Sequence, residues 1–368
     1  MTQNPLLRGV RVLDLSRLLP GPFCTLYLAQ LGAEVIKIED PKGGDGARGM
    51  SPDLFSLVNR GKQSVTMDLK QAEDVAIFKK MVATADVVIE SFRPGVMDRL
   101  GVGYDVLKAI NPKLVYAALT GYGQTGPYRD RPGHDMNYRG YSGELDQTAG
   151  FEGAPAVGNL QVADLAGGAL TCAIGILAAL YGARDSGVGS FVDVGMMDGT
   201  LALQVLSLNS LRVFGQMPPK GRDMLSGGLP NYAVYECADG KHLAVGSLEM
   251  KFFHEVLTRV DRDDLKKLPA VPGKHGEPLR AELVALFKSR PRDEWEALLA
   301  NEDTCVSAIL SPAEVLKNEQ VLARGMIVDD NGKPAFNLPI FFDNASAVNG
   351  KTPKLGADND AVLGPLRG

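Results

Sequence analysis

The fold of this chain is decided by the stretch Val10–Glu39, which reads VRVLDLSRLLPGPFCTLYLAQLGAEVIKIE. Its first residues, Val10–Leu15, form a short apolar run typical of a buried strand, and Pro20–Pro22 interrupts it. Apolar side chains then recur at helical spacing over Phe23–Leu31. Glu34–Glu39 has the pattern of a second strand. The stretch therefore predicts a strand, a helix and a second strand parallel to the first.

The same succession of strand and helix continues along the first half of the chain. The apolar patterns predict strands at Ser64–Met67, Asp86–Ile89 and Leu114–Leu119, and helices at Gln71–Ala83 and Val102–Ile110. Strands that alternate with helices favour a parallel sheet with helices on both faces. We therefore predict the α/β fold class.

The pattern changes at Leu165–Gly182, a nearly uncharged stretch directly after Asp164. It is long enough to cross a membrane. Because it is rich in glycine and alanine, we predict a buried helix of a large α/β domain instead. One more strand at Phe191–Val194 and a long helix at Met197–Leu211 follow.

The next part of the chain has the pattern of a smaller α+β domain. Gly215–Pro230 is rich in glycine and proline and is predicted to be a linker. Tyr232–Cys237 and His242–Val245 are apolar runs that flank an Asp-Gly pair, which predicts a hairpin. Helical patterns follow at Leu279–Phe287 and Arg292–Leu299.

The composition excludes several classes of protein. A length of 368 residues favours two domains, and a net charge of −5 argues against a nucleic-acid or membrane-surface partner. Four cysteines without a CxxC pair, and four histidines without metal spacing, favour a cytoplasmic location and no metal site. The N-terminus has no signal-peptide pattern. The chain carries no GxGxxG, P-loop or GxSxG motif, which disfavours nicotinamide and flavin chemistry.

Two basic groups lie near predicted strands. Asn59–Lys62, which contains Arg60, precedes the strand that leads to Asp68–Lys70, and Glu90–Gly95 follows a buried strand, with Arg99 shortly after it. Loops at the ends of parallel strands bind ligands in open α/β sheets, and arginine suits phosphate. That these are ordinary solvated charges stays open as the alternative.

Two further residues are candidates for chemistry. His134 lies in a glycine-flanked loop after a predicted strand, although a lone histidine is more often structural. Asp164 directly precedes the long apolar helix, where an N-cap is the ordinary role of an aspartate. Backbone N–H groups at such a helix start are unsatisfied and can stabilise an anion.

Nine ordered blocks of the chain resemble CoA-transferase family III, the CaiB/BaiF type, and most of all its α-methylacyl-CoA racemase branch. The blocks cover nearly the whole chain and read GVRVLDLSRLLPGPFC, GAEVIKIEDP, NRGKQSVTMDLK, ADVVIESFRPGVMDRLG, GYGQTGPYRDRPGHDMNY, VADLAGGALTCAIGILAAL, GVGSFVDVGMMDG, YECADGKHLAVGSLE and LARGM.

The resemblance implies an interlocked homodimer whose subunits each have a Rossmann-like large domain and a smaller α+β domain. The large, CoA-binding domain would contain residues 1–194 and 323–368. The small domain would contain residues 225–301, and residues 195–224 and 302–322 would link the two. CoA is then part of the substrate, and no separate cofactor is expected.

The resemblance also implies roles for single residues. Family members share the aspartate at the position of Asp164, which in transferases is a nucleophile. Racemases have in addition the histidine of the GHDMNY block, here His134, and the family's VGxxE glutamate, here Glu249, is expected to support that histidine from the partner subunit. Transferases of the formyl-CoA type generally lack this histidine and carry glutamine where this chain has Leu19. Both His134 and Leu19 favour a racemase.

The CoA moiety is expected to contact basic and loop residues of the large domain. Racemases often have arginine at the position of Asp40, and Lys37 or Lys42 could replace its contact. The full set of predicted CoA-binding residues is Lys37, Arg60, Met67, Asp68, Leu69, Lys70, Arg93, Arg99, Gly133, Asp135, Met136, Asn137 and Tyr138.

The implied reaction is racemisation of 2-methylacyl-CoA thioesters through an enolate. His134 and Asp164 would exchange the roles of acid and base, and burial should raise the pKa of Asp164 toward that of an imidazole. The Asp164 N–H would hold the enolate oxygen. Met196 and Met197 could form a smooth surface for the acyl chain, or belong to the core. A CoA transferase with Asp164 as nucleophile, and a non-catalytic acyl-CoA binding protein, remain as alternatives.

Overall fold

The structure, a computed structural model, describes residues 6–148 and 153–367. The chain divides into two compact units. The first contains Met1–Glu144, Gly158–Gln204 and Gln320–Gly368, and the second contains Leu145–Val157 and Val205–Glu319. Residues 1–5, on which the prediction of no signal peptide partly rests, lie outside the described residues.

The first unit is built on a six-stranded sheet in the order β3-β2-β1-β4-β5-β6, with every neighbouring pair parallel. The strands are β1 (Arg11–Asp14), β2 (Glu34–Glu39), β3 (Gln63–Thr66), β4 (Val87–Glu90), β5 (Val115–Thr120) and β6 (Phe191–Gly195). The predicted α/β fold class is confirmed. The strand order reverses between β1 and β4, which is where ligands bind in sheets of this kind.

Helices connect these strands, and a π-helical segment, Ala163–Leu170, continues directly into one of them. The helices are α1 (Pro20–Gln30), α2 (Gly46–Met50), α3 (Pro52–Asn59), α4 (Ala72–Val82), α5 (Val96–Arg99), α6 (Tyr104–Ile110), α7 (Asp135–Ser142), α8 (Thr171–Ser186) and α9 (Met196–Ala202).

The sheet carries a hydrophobic core on each face. Val12 of β1 packs with Leu28 of α1 in one core, whereas the next residue, Leu13, packs with Phe78 of α4 in the other. Because both faces are covered, the central strands are apolar almost throughout. The loops at the ends of these strands are therefore held on a rigid support.

The second unit contains a three-stranded antiparallel sheet in the order β7-β8-β9. The predicted hairpin is its first pair. Its elements are α10 (Val205–Phe214), β7 (Tyr232–Glu236), β8 (His242–Gly246), α11 (Met250–Arg259), α12 (Glu277–Phe287), α13 (Arg292–Leu299), β9 (Val306–Ala308) and α14 (Pro312–Val315). Short 3₁₀ or π turns occur at Leu145–Gln147, Met224–Gly228, Asp263–Lys267 and Gly273–His275.

The last part of the chain returns to the first unit. It contains α15 (Glu319–Ala323), the hairpin β10 (Ile327–Asp330) and β11 (Lys333–Phe336), α16 (Asn359–Leu363) and a 3₁₀ turn, Gly364–Leu366. The Asn359 side chain accepts a hydrogen bond of 2.8 Å from Thr66 N–H at the end of β3, and Leu363 is buried in a core of the sheet. The C-terminal segment thus closes the sheet at its β3 edge.

Two predicted helices differ from the structure. Met197–Leu211 is two helices, α9 and α10, because the boundary between the units falls between Gln204 and Val205. The apolar stretch lies in a continuous helical run, Ala163–Ser186, and only 39% of an apolar 18-residue window of this run is buried. Ile174 and Tyr181 are 69% and 81% exposed, so the predicted core helix is half-buried. By length and composition this run could cross a membrane, a criterion that core helices also meet.

Candidate active site

A cleft of about 590 Å³ opens where the strand order reverses. The loops that follow β1, β4 and β5 form its walls, and His134, Asp164 and Met196 complete its lining. Every lining residue belongs to the first unit. The two residues predicted to carry chemistry are therefore brought together in one cleft.

His134 lies at the N-terminus of α7 and is exposed. Its N–H donates to Asn137 Oδ1 at 3.0 Å, and the Asn137 N–H donates back to the His134 carbonyl oxygen at 2.8 Å. Gly133 lies so close to Tyr138 that a Cβ would be 2.7 Å from the tyrosine ring, and the Tyr138 hydroxyl donates to the Gly133 carbonyl. These contacts fix the backbone that carries the imidazole.

Asp164 lies in the first turn of the π-helical segment and is half-buried. The N-cap is Val162, so the alternative that Asp164 caps the helix is wrong. Burial, and secondly the negative charge of Asp135, raise the pKa of Asp164 from 3.8 to about 7. This agrees with the expected direction, and it makes both forms of the carboxyl accessible near neutral pH.

The π-helical segment packs directly on α9. A Cβ on Gly199 would lie 1.9 Å from the Gly167 carbonyl oxygen, and a Cβ on Gly167 would lie 2.6 Å from Thr200 Oγ1. Only glycine permits this approach of the two backbones. Segments with π-helical hydrogen bonds occur frequently at functional sites, and here the segment holds Asp164 against a fixed neighbour.

Asp135 connects the two candidate catalytic elements. Its Oδ1 accepts hydrogen bonds from the N–H groups of Ala163 and Asp164, at 2.7 and 3.2 Å. The prediction that the Asp164 N–H holds an enolate oxygen is therefore wrong, because this N–H already has an acceptor. The N–H groups of Asp135 and Met136, at the start of α7, donate to no acceptor in residues 6–148 or 153–367.

Arginines from three loops gather at the cleft. Arg17, Arg93, Arg129 and Arg131 line it, and the guanidinium groups of Arg99 and Arg129 both approach Gly95, within 3.4 and 3.6 Å of its Cβ position. Within the described ranges, Arg93 and Arg99 form no ion pair. Arg129 contacts the exposed carboxylate of Asp130 at 3.5 Å, so Arg93 and Arg99 are the guanidinium groups best suited to a polyanionic ligand.

Two of these arginines are held by aromatic rings. The Arg17 guanidinium lies 4.7 Å from the centre of the Phe92 ring, and that of Arg131 lies 3.7 Å from the centre of Tyr128. Arg131 also donates from Nη1 to the Tyr141 hydroxyl at 3.2 Å. Stacking on a ring orients a guanidinium, and its remaining N–H groups can bind a ligand.

Lys37 lies in the core instead of the cleft. Its side chain is completely buried, and its Nζ contacts Asp45 Oδ2 and the Ser16 carbonyl oxygen, both at 2.9 Å. The prediction that Lys37 contacts CoA is therefore not supported. Asp45 in turn accepts the Leu18 N–H at 3.0 Å and holds Leu18, a cleft residue, at a φ of 64°. The ion pair thus shapes the first loop of the cleft from within.

The other predicted CoA-binding residues are divided between the cleft and other places. Arg93, Gly133, Asn137 and Tyr138 line it. Arg60 is buried, and its guanidinium donates to the carbonyls of Leu57 and Phe336, so it is not free to bind phosphate. Residues outside the described lining are Met67, Asp68, Leu69 and Lys70 after β3, Arg99, the buried Asp135 and the exposed Met136.

Glu249 belongs to the second unit and lies immediately before α11, where it is exposed. Its expected support of a partner histidine stays a prediction. Many racemases have an arginine at the position of Asp40, and Lys42 was the other lysine predicted to replace its contact. Lys42 is exposed.

Several cleft residues were not predicted from the sequence. They are Arg17, Leu18, Thr120, Tyr122, Arg129 and Arg131. The argument that selected Arg93, an arginine directly after a parallel strand, applies equally to Arg17 after β1 and could have found it. Met196 lines the cleft and is also buried in a core, whereas Met197 packs partly buried against that core and is not among the lining residues. Their expected role as a surface for the acyl chain stays a prediction.

Comparisons with known proteins show which family the chain is similar to. A family model described as CoA-transferase family III matches residues 7–359. Human alpha-methylacyl-CoA racemase is 34% identical over 364 residues, 97% of this chain and 92% of the relative. An acetyl-CoA:oxalate CoA-transferase of Acetobacter aceti is 35% identical over 338 residues, 88% of this chain and 86% of the relative. The crystal structure of a CaiB/BaiF family protein from Brucella suis has a TM-score of 0.88 and 31% identity, covering 99% of this chain and 100% of that one.

Proposed function

Because the chain belongs to CoA-transferase family III, we propose that it is an α-methylacyl-CoA racemase that inverts 2-methylacyl-CoA thioesters. The reaction removes the proton from the carbon next to the thioester carbonyl and returns a proton to the opposite face. The observation that supports this most is the presence of His134 and Asp164 in one cleft. Inversion through a planar enolate requires one proton-transferring group on each face.

The two groups exchange roles with the direction of the reaction. In one direction, ionised Asp164 removes the α-proton and protonated His134 supplies the new one, and in the other direction neutral His134 removes it. With a pKa of about 7, Asp164 has substantial populations of both forms near neutral pH. Such a carboxyl is a better base than an ordinary aspartate and remains a usable acid.

The enolate oxygen needs a hydrogen-bond donor, since neither group alone is a strong base. The N–H groups of Asp135 and Met136 begin α7 directly after His134 and are without acceptors among the described residues. Donors at a helix start also carry the positive end of its dipole. We therefore assign the oxyanion site to the start of α7.

The arginines are proposed to bind the phosphates of CoA. A charge-assisted hydrogen bond contributes about 1.5–3 kcal/mol. We expect Arg93→Ala to raise the KM for an acyl-CoA by about 10–100-fold, with a smaller change in kcat, because the phosphates do not take part in the reaction. Steady-state kinetics measures this.

The exposed Arg184 on α8 provides a matched control, since it lies outside the cleft. Arg184→Ala should leave KM unchanged. Equal KM values for Arg93→Ala and the unsubstituted protein would remove Arg93 from the CoA site.

Incubation in heavy water tests the proposed reaction itself. Either enantiomer of a 2-methylacyl-CoA should acquire deuterium at the α-carbon and become racemic, as measured by mass spectrometry and chiral chromatography. A panel should include branched fatty acyl, bile-acid and aryl-propionyl thioesters. If no member of the panel acquires deuterium, the chain is not a racemase of this class.

A CoA transferase is the second candidate, because the transferase from Acetobacter aceti is as similar to this chain as the human racemase. In that reaction the Asp164 carboxylate would attack the thioester carbonyl, the C–S bond would break, and CoA would leave as its thiolate, which gives a mixed anhydride. Hydroxylamine would trap an acyl group on Asp164, and His134→Ala would retain transfer to a free acid.

We also propose that the chain is a homodimer. Helix α10 exposes large apolar side chains, among them Leu206, Leu208 and Phe214, at 54–64% of their surface. An apolar surface of this kind usually marks a protein interface. Light scattering should give twice the chain mass of 39.3 kDa, whereas a monomer at micromolar concentration would contradict the proposal.

A further inference from the structure

Asp135 joins the two elements that carry the proposed acid and base. Its backbone directly follows His134, and its carboxylate binds the first turn of the segment that contains Asp164. We propose that Asp135 is a positioning residue that fixes the separation between His134 and Asp164. The inference rests on the racemisation proposed above and adds a residue that acts through the other two.

The Asp135 carboxylate uses both of its oxygens in hydrogen bonds. One oxygen, Oδ1, accepts from two successive N–H groups, those of Ala163 at 2.7 Å and Asp164 at 3.2 Å. The other oxygen, Oδ2, lies 3.4 Å from Arg139 Nη1. No other side chain in the described ranges binds the N–H groups of both Ala163 and Asp164.

The partner of Asp135 is itself fixed. Arg139 lies one turn further along α7 and is buried, and its Nε contacts Glu144 at 2.6 Å. Its Nη1 also reaches the Leu160 carbonyl oxygen at 3.5 Å, just before the π-helical segment. Glu144, Arg139 and Asp135 thus form a continuous connection from α7 to the segment that carries Asp164.

The Asp135 carboxylate does not touch the reacting atoms; of this residue, only the backbone N–H is proposed to do so, as a donor to the enolate oxygen. The side chain is buried beneath the cleft and is not part of the lining, whereas His134 and Asp164 both are. The effect of the carboxylate on the reaction must therefore pass through these two residues. A displacement of about 1 Å between reacting groups can reduce a rate by about 100-fold, so a fixed connection at this point matters for turnover.

The negative charge of Asp135 has a second effect. It is one of the two causes that raise the pKa of Asp164, after burial. Several elements pack against the π-helical segment that contains Asp164. Their titratable and charged groups are Cys24, Tyr27, Tyr116, His134, Asp135, Tyr138, Arg139, Tyr141, Cys172, Tyr181, Arg184, Asp185, Asp193 and Asp198. Among them, Asp135 is the one whose charge acts on the Asp164 carboxyl in this way.

Two substitutions separate position from charge. Asp135→Asn keeps an oxygen acceptor for the two N–H groups and removes the charge, while Arg139 retains Glu144. Asp135→Glu keeps the charge and moves the acceptor by one methylene. Asp185→Asn is the control, because Asp185 is exposed about 30 Å further along the same helical run.

The measurement is the pH dependence of kcat/KM for racemisation in both directions, with far-UV circular dichroism and thermal unfolding of every variant. Where Asp164 is the base, it limits the rate at low pH, and where it is the acid, it limits the rate at high pH. Asp135→Asn removes a negative charge and should therefore lower the pKa of Asp164. In the direction where Asp164 is the base, the acid limb of the profile should move to lower pH. In the direction where Asp164 is the acid, the alkaline limb should move to lower pH. Asp135→Glu should lower kcat by about 10–100-fold without shifting either limb of the pH profile.

The outcomes distinguish this inference from the proposed function. If the unsubstituted protein shows no α-proton exchange, the racemase proposal fails. If it racemises but both Asp135 variants lower the rate equally without moving a limb, Asp135 only stabilises the fold and the inference is overturned. Should Asp135→Asn fail to fold, an unchanged kcat in Asp135→Glu overturns it as well.

Discussion

Asp164→Asn and His134→Gln are each expected to slow racemisation by about 10³–10⁴-fold, which corresponds to about 4–5.5 kcal/mol of activation free energy. The expectation follows from the requirement for two groups. Without His134 or Asp164, the remaining group can still form the enolate from its own face of the α-carbon. No group is then left to protonate the opposite face. Chiral chromatography of a pure (R)- or (S)-2-methylacyl-CoA after timed incubation measures the loss.

Both replacements resemble the original side chains in size and keep the backbone contacts of the site. The N–H group that binds Asp135 Oδ1 is untouched in Asp164→Asn, and so is the Asn137 contact in His134→Gln. KM for the acyl-CoA should therefore change little, because the arginines that bind CoA remain. A variant of either residue that racemises within tenfold of the unsubstituted protein would exclude that residue as a proton-transferring group.

Lys37→Met is expected to have the largest effect on stability, a loss of about 3–5 kcal/mol in the free energy of unfolding. Lys37 and Asp45 are both buried, so the substitution leaves a carboxylate in the core without its cation. Burial alone would raise the pKa of Asp45, but Lys37 and the N–H groups of Ala47 and Leu18 hold it below its ordinary value. Without Lys37 that stabilisation is lost.

Urea unfolding followed by far-UV circular dichroism is the appropriate measurement. The single tryptophan, Trp295, lies in the second unit, so its fluorescence would not report on the first. The exposed Lys42 gives the control, and Lys42→Met should change stability by less than about 0.5 kcal/mol. The double variant Lys37→Met with Asp45→Asn should recover part of the loss. Equal midpoints for the Lys37 and Lys42 variants would show that the buried pair does not stabilise this unit.

How far the sequence predicts this structure is clearest in β2. The pattern EVIKIE gives a strand at Glu34–Glu39, as observed, but Lys37 within it, which the family resemblance made a candidate CoA contact, lies in the core. Strand periodicity assigns side chains to faces of a sheet, and it does not show that both faces are covered. Asp45, the partner of Lys37, reaches it through tertiary structure, and local sequence carries no signal for such a pair.

The candidate site could likewise be predicted from the sequence only in part. That His134 and Asp164 would meet followed from a family resemblance, and the cleft contains both. The sequence could not show which N–H groups are free to bind the enolate oxygen, because the Asp164 N–H donates to Asp135, a residue 29 positions earlier. The π-helical hydrogen bonds of Ala163–Leu170 were equally hidden, because their apolar periodicity differs little from that of an α-helix.

The central claim is that His134 and Asp164 lie on opposite faces of one carbon, and deuterium exchange by the two single variants tests it most directly. Each variant retains one base, which can remove a proton and return a deuteron from its own face. His134→Gln should therefore exchange the α-proton of one enantiomer with retention, and Asp164→Asn that of the other. Exchange of the same enantiomer by both variants, or of both enantiomers by either, would contradict the account.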